Sequence, residues 1–499
     1  MLEALVLVLR PVTLAYTLFG IVVGLVIGAI PGLTATMAVA LLLPLTFRMD
    51  GVSSLIMLSA IYASATYGGS YSAILFNTPG TPSSAATCLD GYEMTKKGQA
   101  GKAFTVSTIS SVFGGLIGAF ALLLIAPPLS RIALKFGPLE YFMIAIFGLS
   151  IIGGLASNNI IKGLLAGVLG LLLSIVGLDP MAAYPRLTFG SLYLESGIAL
   201  VPALIGMFSV SQAMILAESA TIIGSESVNR EETIRPKLEL PNKSELKIMA
   251  RILPMCSIIG TFIGILPGAG GDIATWVGYN EARRASKHPE KFGTGIIDGL
   301  AASESANNAV CASAMIPLLT LGIPGSNVTA VMLGALLIHG IIPGRDLFTI
   351  QATSTYAIII GIILANLLFG VIGLIISPHV VKLSKVPYQI LTSIIVLFAI
   401  VGSYAINNSY MDVIVMTFFG LVGYLLRRYD FPVAATILGL ILGPMAENGL
   451  RQAMIISNGN LLGLFIKSPI SIMVFIATVF SIIWTVKTLK KGRSAFEDL

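Results

Sequence analysis

Long apolar runs, several near the roughly 20 residues that cross a bilayer, alternate along the chain with short polar breaks. Ala103 to Ile125, Tyr141 to Leu155, Ile161 to Val176 and Ile198 to Ala217 predict four spans in the first half. Tyr356 to Ile376, Ile390 to Val401, Met411 to Leu426, Val433 to Met445 and Ile470 to Val486 predict five in the second. The other apolar runs are interrupted. Gly24-x3-Gly28-x2-Pro31-Gly32 returns as Gly260-x3-Gly264-x2-Pro267-Gly268, and Asn77-Thr78-Pro79-Gly80-Thr81-Pro82 is matched by Gly322-Ile323-Pro324-Gly325-Ser326-Asn327. Pro lacks the N–H and Gly holds helical backbone poorly, so each run opens there. Opened backbone at membrane depth persists only where it is buried in protein or lines a cavity. The pieces around the breaks predict broken or re-entrant helices, and paired interruptions in two halves point to a transporter's binding site.

Composition narrows the class. The 499 residues are 56% hydrophobic and 11% charged, against about 25% charged in soluble domains. The chain reads as an all-α integral membrane protein, a multi-span helical bundle. Its net charge of +6 does not point to nucleic acid, because the basic residues sit in short loops and the tail, where positive-inside orientation explains them. Cys88, Cys256 and Cys311 are isolated and form neither a disulfide framework nor a metal motif, and no cofactor or metal is expected. Met1 to Arg10 carries Glu3 and lacks a basic start and a cleavage site. It reads as an interfacial or packed segment rather than a signal peptide.

Pro267 follows Pro31 by 236 residues and Pro324 follows Pro79 by 245, which assigns nine extra residues to the loop around Glu281 to Gly295. The charged stretch Glu218 to Arg251 then divides the chain into a first repeat (1–217), a cytoplasmic linker (218–251) and a second repeat (252–499). Loop charges set their orientation. After the first break, Arg48 stands alone in one half against Arg283, Arg284, Lys287 and Lys291 in the other; after the second, Lys96, Lys97 and Lys102 stand against Arg345. Equivalent loops therefore fall on opposite sides, the signature of inverted-topology repeats. The same rule puts Lys382, Lys385, Arg427, Arg428 and the tail in the cytoplasm.

Each break is followed by helix N-cap types: Thr34 and Thr36; Thr81, Ser83 and Ser84; Asp272 and Thr275; Ser326, Asn327 and Thr329. Half-helices starting there point free N–H groups into the opening and attract anions. The carbonyl ends of the preceding half-helices suit a cation such as Na⁺. The substrate-binding candidates are thus Pro31, Gly32, Thr34, Asn77, Thr78, Pro79, Gly80, Thr81, Pro267, Gly268, Gly270, Gly271, Pro324, Gly325, Ser326 and Asn327. Asp272, Glu304, Asn307 and Asn308 are candidates for a coupling ion, since a carboxylate within apolar sequence costs about 2.5–3.5 kcal/mol. For Asp272 the N-cap reading stands ahead of a titrating role, and Glu304 reads also as a residue near the membrane edge. No Arg or Lys stands at the breaks, so an anion would be held by backbone N–H groups, hydroxyls and amides. Tyr67-Gly68-Gly69-Ser70-Tyr71-Ser72 adds hydroxyls and close backbone approach, or else a small-residue packing surface.

These residues resemble the large transmembrane subunit of the bacterial tripartite tricarboxylate transporters. The resemblance rests on Gly28-Ala29-Ile30-Pro31-Gly32-Leu33, Leu43-Pro44-Leu45-Thr46-Phe47, Tyr67-Gly68-Gly69-Ser70 and Asn77-Thr78-Pro79-Gly80 in the first half. It continues through Ile265-Leu266-Pro267-Gly268-Ala269-Gly270-Gly271, Glu304-Ser305-Ala306-Asn307-Asn308-Ala309 and Gly322-Ile323-Pro324-Gly325-Ser326. It implies a permease of the bacterial cytoplasmic membrane, not an enzyme, that works with a small four-helix membrane subunit and a periplasmic substrate-binding protein. Such a permease imports organic carboxylates, citrate-like tricarboxylates among them, on a sodium or proton gradient. The lack of a G-x4-G-K-[ST] motif agrees with a drive other than ATP. A channel, which also uses half-helix pores and paired breaks, stays open as the alternative. An intramembrane aspartyl protease fits poorly: Ala269-Gly270-Gly271-Asp272 has Ala where that motif has Gly, the order of elements is reversed, and Asp430 follows Arg427-Arg428 at a membrane edge.

Overall fold

The computed structural model describes the chain except residue 1 and residues 134–135, 156–159, 224–237, 267–269, 380–387, 481 and 484–499. Its first half runs through α1 (Leu2–Val8), α2 (Pro11–Ala29), α3 (Ala35–Leu42), α4 (Gly51–Phe76), α5 (Ala85–Lys96), α6 (Ala100–Ala133), α7 (Pro138–Leu155), α8 (Ile160–Ser174), α9 (Leu192–Glu195), α10 (Leu200–Leu204) and α11 (Ser211–Ile223). The second half runs through α12 (Lys243–Ile265), α13 (Gly270–Ala285), α14 (Ile297–Ser313), α15 (Met315–Leu321), α16 (Asn327–Ile338), α17 (Arg345–Phe348), α18 (Ala352–Ile376), α19 (Tyr388–Asn407), α20 (Tyr410–Arg428), α21 (Val433–Ile456) and α22 (Leu461–Lys467). Eight described helices are long and apolar enough to cross a membrane. The protein is an all-α, multi-pass membrane protein.

Two central helices are not among those eight. In α4 every residue from Ser53 to Leu75 is buried, and in α14 every residue from Gly299 to Ser313. Both are rich in Ser, Thr, Gly and, in α14, Asn. Helices enclosed by protein on all sides need no apolar face toward lipid, and small residues let neighbouring backbones close in. Gly28 uses that freedom: a Cβ there would stand 2.1 Å from the carbonyl oxygen of Ala65 on α4. At the matching place in the second half, Gly264 of α12 lies against Val310 and Ser313 of α14.

Two compact units are present. The first comprises Met1–Ser130, Gln212–Leu266 and Gly270–Gly402, with α4 and α14 at its centre. The second takes in Arg131–Ser211 and Ser403–Leu499. Ala145, Ala166, Ala435, Leu438, Leu442 and Ala446 form its core, where α7, α8 and α21 meet. A loop cluster closes one end of it: Arg186 pairs with Glu447 at 2.6 Å, and Arg451 with Asp179 at 2.9 Å and Glu447 at 2.8 Å. Asp179 also accepts the N–H groups of Met181 and Ala182, each at 2.9 Å.

Several expected spans change form. The run Ile470 to Val486 is helical from its start to Phe480, and a sharp bend precedes it. Leu461–Lys467 and Pro469–Phe480 form a pair bent by 96°, because Pro469 cannot donate its N–H to continue the preceding helix. The run Ile198 to Ala217 contains a π-helical stretch, Ile205–Val210, between α10 and α11. The run Val433 to Met445 continues past Pro444 to Ile456. The nine extra residues of the second half lie in the loop before α14, where residues 286–296 stand in place of residues 49–50 before α4.

Candidate functional site

The breaks fold as tips that turn back on themselves. In the first, α2 ends at Ala29, Gly32 takes φ 89°, and Thr34 caps α3 by accepting the Met37 N–H at 3.2 Å. In the second, Asn77 ends α4 in the left-handed region at φ 53°. The chain then doubles back, so that Gly80 N–H donates to Gly69 O at 3.1 Å. A capping box of Thr81 and Ser84 starts the turn Pro82–Ser84, which leads into α5. The second half repeats the construction. Gly322 ends α15 at φ 72°, Gly325 folds back against Ala314, and a capping box of Ser326 and Thr329 starts α16. Asn77 and Gly322 thus do the same work, because Asn is one of the few other residues that enter the left-handed region readily. Between α14 and α15 the helix is interrupted at Ala314, where Pro317 removes a donor and crowds the carbonyl four residues back.

The tips of each half touch. A Cβ on Gly80 would stand 2.3 Å from Gly28 O, and one on Gly325 2.6 Å from Gly264 O. The halves also cross: α13 packs on the Pro82–Ser84 turn, and α16 on α3. Tyr62 of α4 shares a hydrogen bond with Ser326 at 3.1 Å. Gly32, Asn77, Asp272 and Asn327 are exposed; Gly80, Thr81, Pro324, Gly325 and Ser326 are buried; Pro31, Thr34, Thr78, Pro79, Gly270 and Gly271 are half-buried. Pro267 and Gly268 lie outside the described residues. Asp272 does not cap α13: it sits within the first turn, two residues after the helix begins at Gly270. Asn327 likewise is the first helical residue of α16, and Ser326 is the cap.

Glu304 is wholly buried rather than at a membrane edge. Its Oε1 accepts the Ser70 hydroxyl at 2.6 Å and the Thr87 hydroxyl, and its Oε2 accepts the Ser111 hydroxyl at 2.8 Å. One residue of the second half therefore ties together α4, α5 and α6 of the first. Asn307 and Asn308 are buried on the same helix, and no carboxamide atom of either has a hydrogen-bond partner among the described residues. The Tyr67 to Ser72 stretch is mainly a packing surface: Gly68 lies against Leu25 O, Gly69 against Thr81, and Tyr71 donates to Gly373 O at 2.7 Å. Ser70 alone of its small polar residues reaches a carboxylate.

The sequence reasoning missed Tyr62, Thr87, Ser111 and Asp90. Asp90 Oδ1 accepts the N–H groups of Gly293, Gly295 and Ile296 at 3.0, 2.8 and 2.9 Å, and Oδ2 takes the Tyr279 hydroxyl at 2.9 Å. A carboxylate inside a short half-helix was the available signal for it. Among the described residues no group of three or more His, Cys, Asp or Glu is placed to hold a metal ion.

The chain matches the family model described as the tripartite tricarboxylate transporter TctA family over residues 14–438. It is 40% identical over 464 residues to a protein of Agrobacterium vitis described as an uncharacterized 52.8 kDa protein in the TAR-I ttuC' 3' region, covering 93% of this chain and 91% of that one. A second Agrobacterium vitis protein, described as lying in the TAR-II ttuC' 3' region, is 42% identical over 212 residues, which is 42% of this chain and 87% of that one. No solved structure matches. The family match spans the tips, both central helices and the linker between the halves, and the chain belongs to the tripartite tricarboxylate transporter TctA family.

Proposed function

We propose that this permease imports organic carboxylates, citrate-like tricarboxylates or related acids, handed over by a periplasmic binding protein. A small four-helix membrane subunit completes the complex in the bacterial cytoplasmic membrane, and a sodium or proton gradient drives uptake. The observation that carries the reading is the meeting of re-entrant tips from both halves, with Ser83, Gly271 and Asn307 in mutual reach. Helix N-termini gathered in this way hold an anion without a basic side chain. Pro31 to Thr34, Asn77 to Thr81, Gly270 with Gly271, and Pro324 to Asn327 surround the substrate. Asp272, exposed beside the tips, serves the coupling ion with Asn308, whereas Glu304 has its oxygens engaged by hydroxyls and anchors the assembly.

Residues 1–217 and 252–499 act as inverted repeats joined by the cytoplasmic linker 218–251. Loop contacts support this orientation, because each joins segments assigned to one side. Lys102 meets Glu245 at 3.1 Å and Asp90 meets the Gly293 to Ile296 loop, all cytoplasmic in this scheme. Lys162 donates to Tyr429 O at 2.7 Å on the same side. His339 approaches Thr46 at 3.4 Å, and Arg186 meets Glu447, on the outer side.

The test is uptake of labelled carboxylates into vesicles holding the full complex with its loaded binding protein. Uptake should saturate, stall without the binding protein, and collapse with ionophores. Full uptake on ATP with no ion gradient, or conduction that does not saturate, would overturn the proposal.

A further inference from the structure

Asn307 is 1% exposed, and neither Oδ1 nor Nδ2 has a hydrogen-bond partner among the described residues. A buried carboxamide with both ends unpaired is costly, and few native side chains are left so. Its surroundings say what would satisfy it. On one side lies the first turn of α13, where a Cβ on Gly271 would stand 2.6 Å from Asn307 Oδ1. Close to the same point is the start of the Pro82–Ser84 turn that leads into α5, where that Cβ would stand 3.3 Å from Ser83 Cβ. Both are helix N-termini, whose N–H groups and dipoles favour negative charge and disfavour a cation. Glu304, one turn earlier on α14, accepts three hydroxyls from the first half. Asp272 follows Gly271, but adjacent helical positions do not share a face.

We propose that Asn307 is a substrate ligand rather than a coupling-ion ligand: with the N-termini of α13 and of the helix beginning at Pro82, it forms a carboxylate-binding subsite in which Nδ2–H donates to the bound anion. This rests on the reading of the permease as a carboxylate carrier. Gly271 belongs to the subsite because any larger residue would take the space of the carboxamide oxygen.

Asn307→Asp separates the two ligand classes, since it keeps the shape and adds negative charge. Asn307→Ser removes the amide donor and keeps the site neutral, so it remains informative if the charged variant does not fold. The readout is the thermal midpoint of the purified permease at saturating NaCl, titrated with citrate, succinate and malate as probes. Relative to wild type, the half-saturating carboxylate concentration should rise about tenfold in the Ser variant and about a hundredfold or more in the Asp variant, because like-charge juxtaposition at a buried site is strongly unfavourable. The sodium concentration giving half of its own midpoint shift should stay within threefold. Unchanged carboxylate response in either folded variant, or a sodium response that tightens in the Asp variant, would overturn the assignment. A wild type that responds to none of the carboxylates would instead count against the functional reading itself.

Discussion

Gly28→Ala probes the packing on which the tips depend. The added methyl would stand 2.1 Å from the carbonyl oxygen of Ala65, and 2.8 and 2.9 Å from the Ala65 carbonyl carbon and Cα. Real Cβ atoms essentially never come within 3.0 Å of such atoms, so contact must open from 2.1 to 3.0 Å, a shift of 0.9 Å. The obstacle is main chain in the middle of α4, buried on all sides, and it has no rotamer to escape into. Overpacking costs typically about 1–3 kcal/mol, and main-chain displacement places this variant near the top, at roughly 3 kcal/mol. Gly264→Ala, the matching change, meets Ser313 Oγ at 2.1 Å and Val310 Cα at 3.1 Å. That hydroxyl can rotate away, losing its 2.8 Å bond to Ala309 O, which is worth about 1 kcal/mol. The two variants should therefore differ by about 2 kcal/mol, roughly a thirtyfold difference in the folded-to-unfolded ratio. Reversible unfolding in mixed detergent micelles, followed by circular dichroism, measures the difference. Because Gly28 O also lies against Gly80, uptake per folded molecule should fall further in Gly28→Ala. Equal destabilisation of the two variants, or a larger effect at Gly264, would refute the argument.

Asn77→Ala and Asp272→Ala should each leave the permease in the membrane and lower uptake about tenfold, the effect of roughly 1.4 kcal/mol; wild-type uptake in both would count against the tips as the site. A Cys placed at Lys97 should resist an impermeant maleimide in intact cells and react after permeabilisation; labelling from outside contradicts the topology. The carboxyl of Asp179 is held down at about 2 by the N–H groups of Ala182 and Met181 and then by Arg451. A depressed carboxyl contributes stability above its unfolded value and loses it as pH falls through the folded one. Asp179→Asn should therefore lower the unfolding midpoint from neutral pH down to about pH 4, with the difference closing toward pH 2; a gap unchanged across that range would argue against the loop cluster.

Where sequence reading succeeded, the chemistry was local. Pro31-Gly32 and Pro79-Gly80 announce their breaks because ring closure and a missing side chain act on their own backbone, and Thr34 and Ser326 cap the next residues along. What stayed hidden depends on distant partners. The α4 and α14 helices escaped notice because Ser, Thr, Gly and Asn lower their hydropathy, and only the surrounding helices make that composition stable in a membrane. Asn77 and Gly322 differ in side chain, and only the folded backbone shows that both take the same left-handed conformation. Asp272 resembled a cap because it is the first N-cap type after Pro267-Gly268, whereas the helix already begins at Gly270. Glu304 gave no hint of the hydroxyls at Ser70 and Ser111, which lie 234 and 193 residues away in the chain.

That separation bears on how the protein is made. Ser70, Thr87 and Ser111 enter the membrane well before Glu304 is synthesised, and until then their hydroxyls turn to carbonyls of their own helices. The α14 helix arrives with a carboxylate and two carboxamides and is not among the helices apolar enough to cross alone. Lipid is a poor solvent for it; the waiting first-half helices are a good one. Insertion of α14 is thus an act of assembly, in which an earlier set of helices receives a later one and three hydroxyls exchange partners for Glu304. A nascent chain halted before this point holds an unfilled polar seat within the bilayer, a mark by which unfinished permease differs from finished permease.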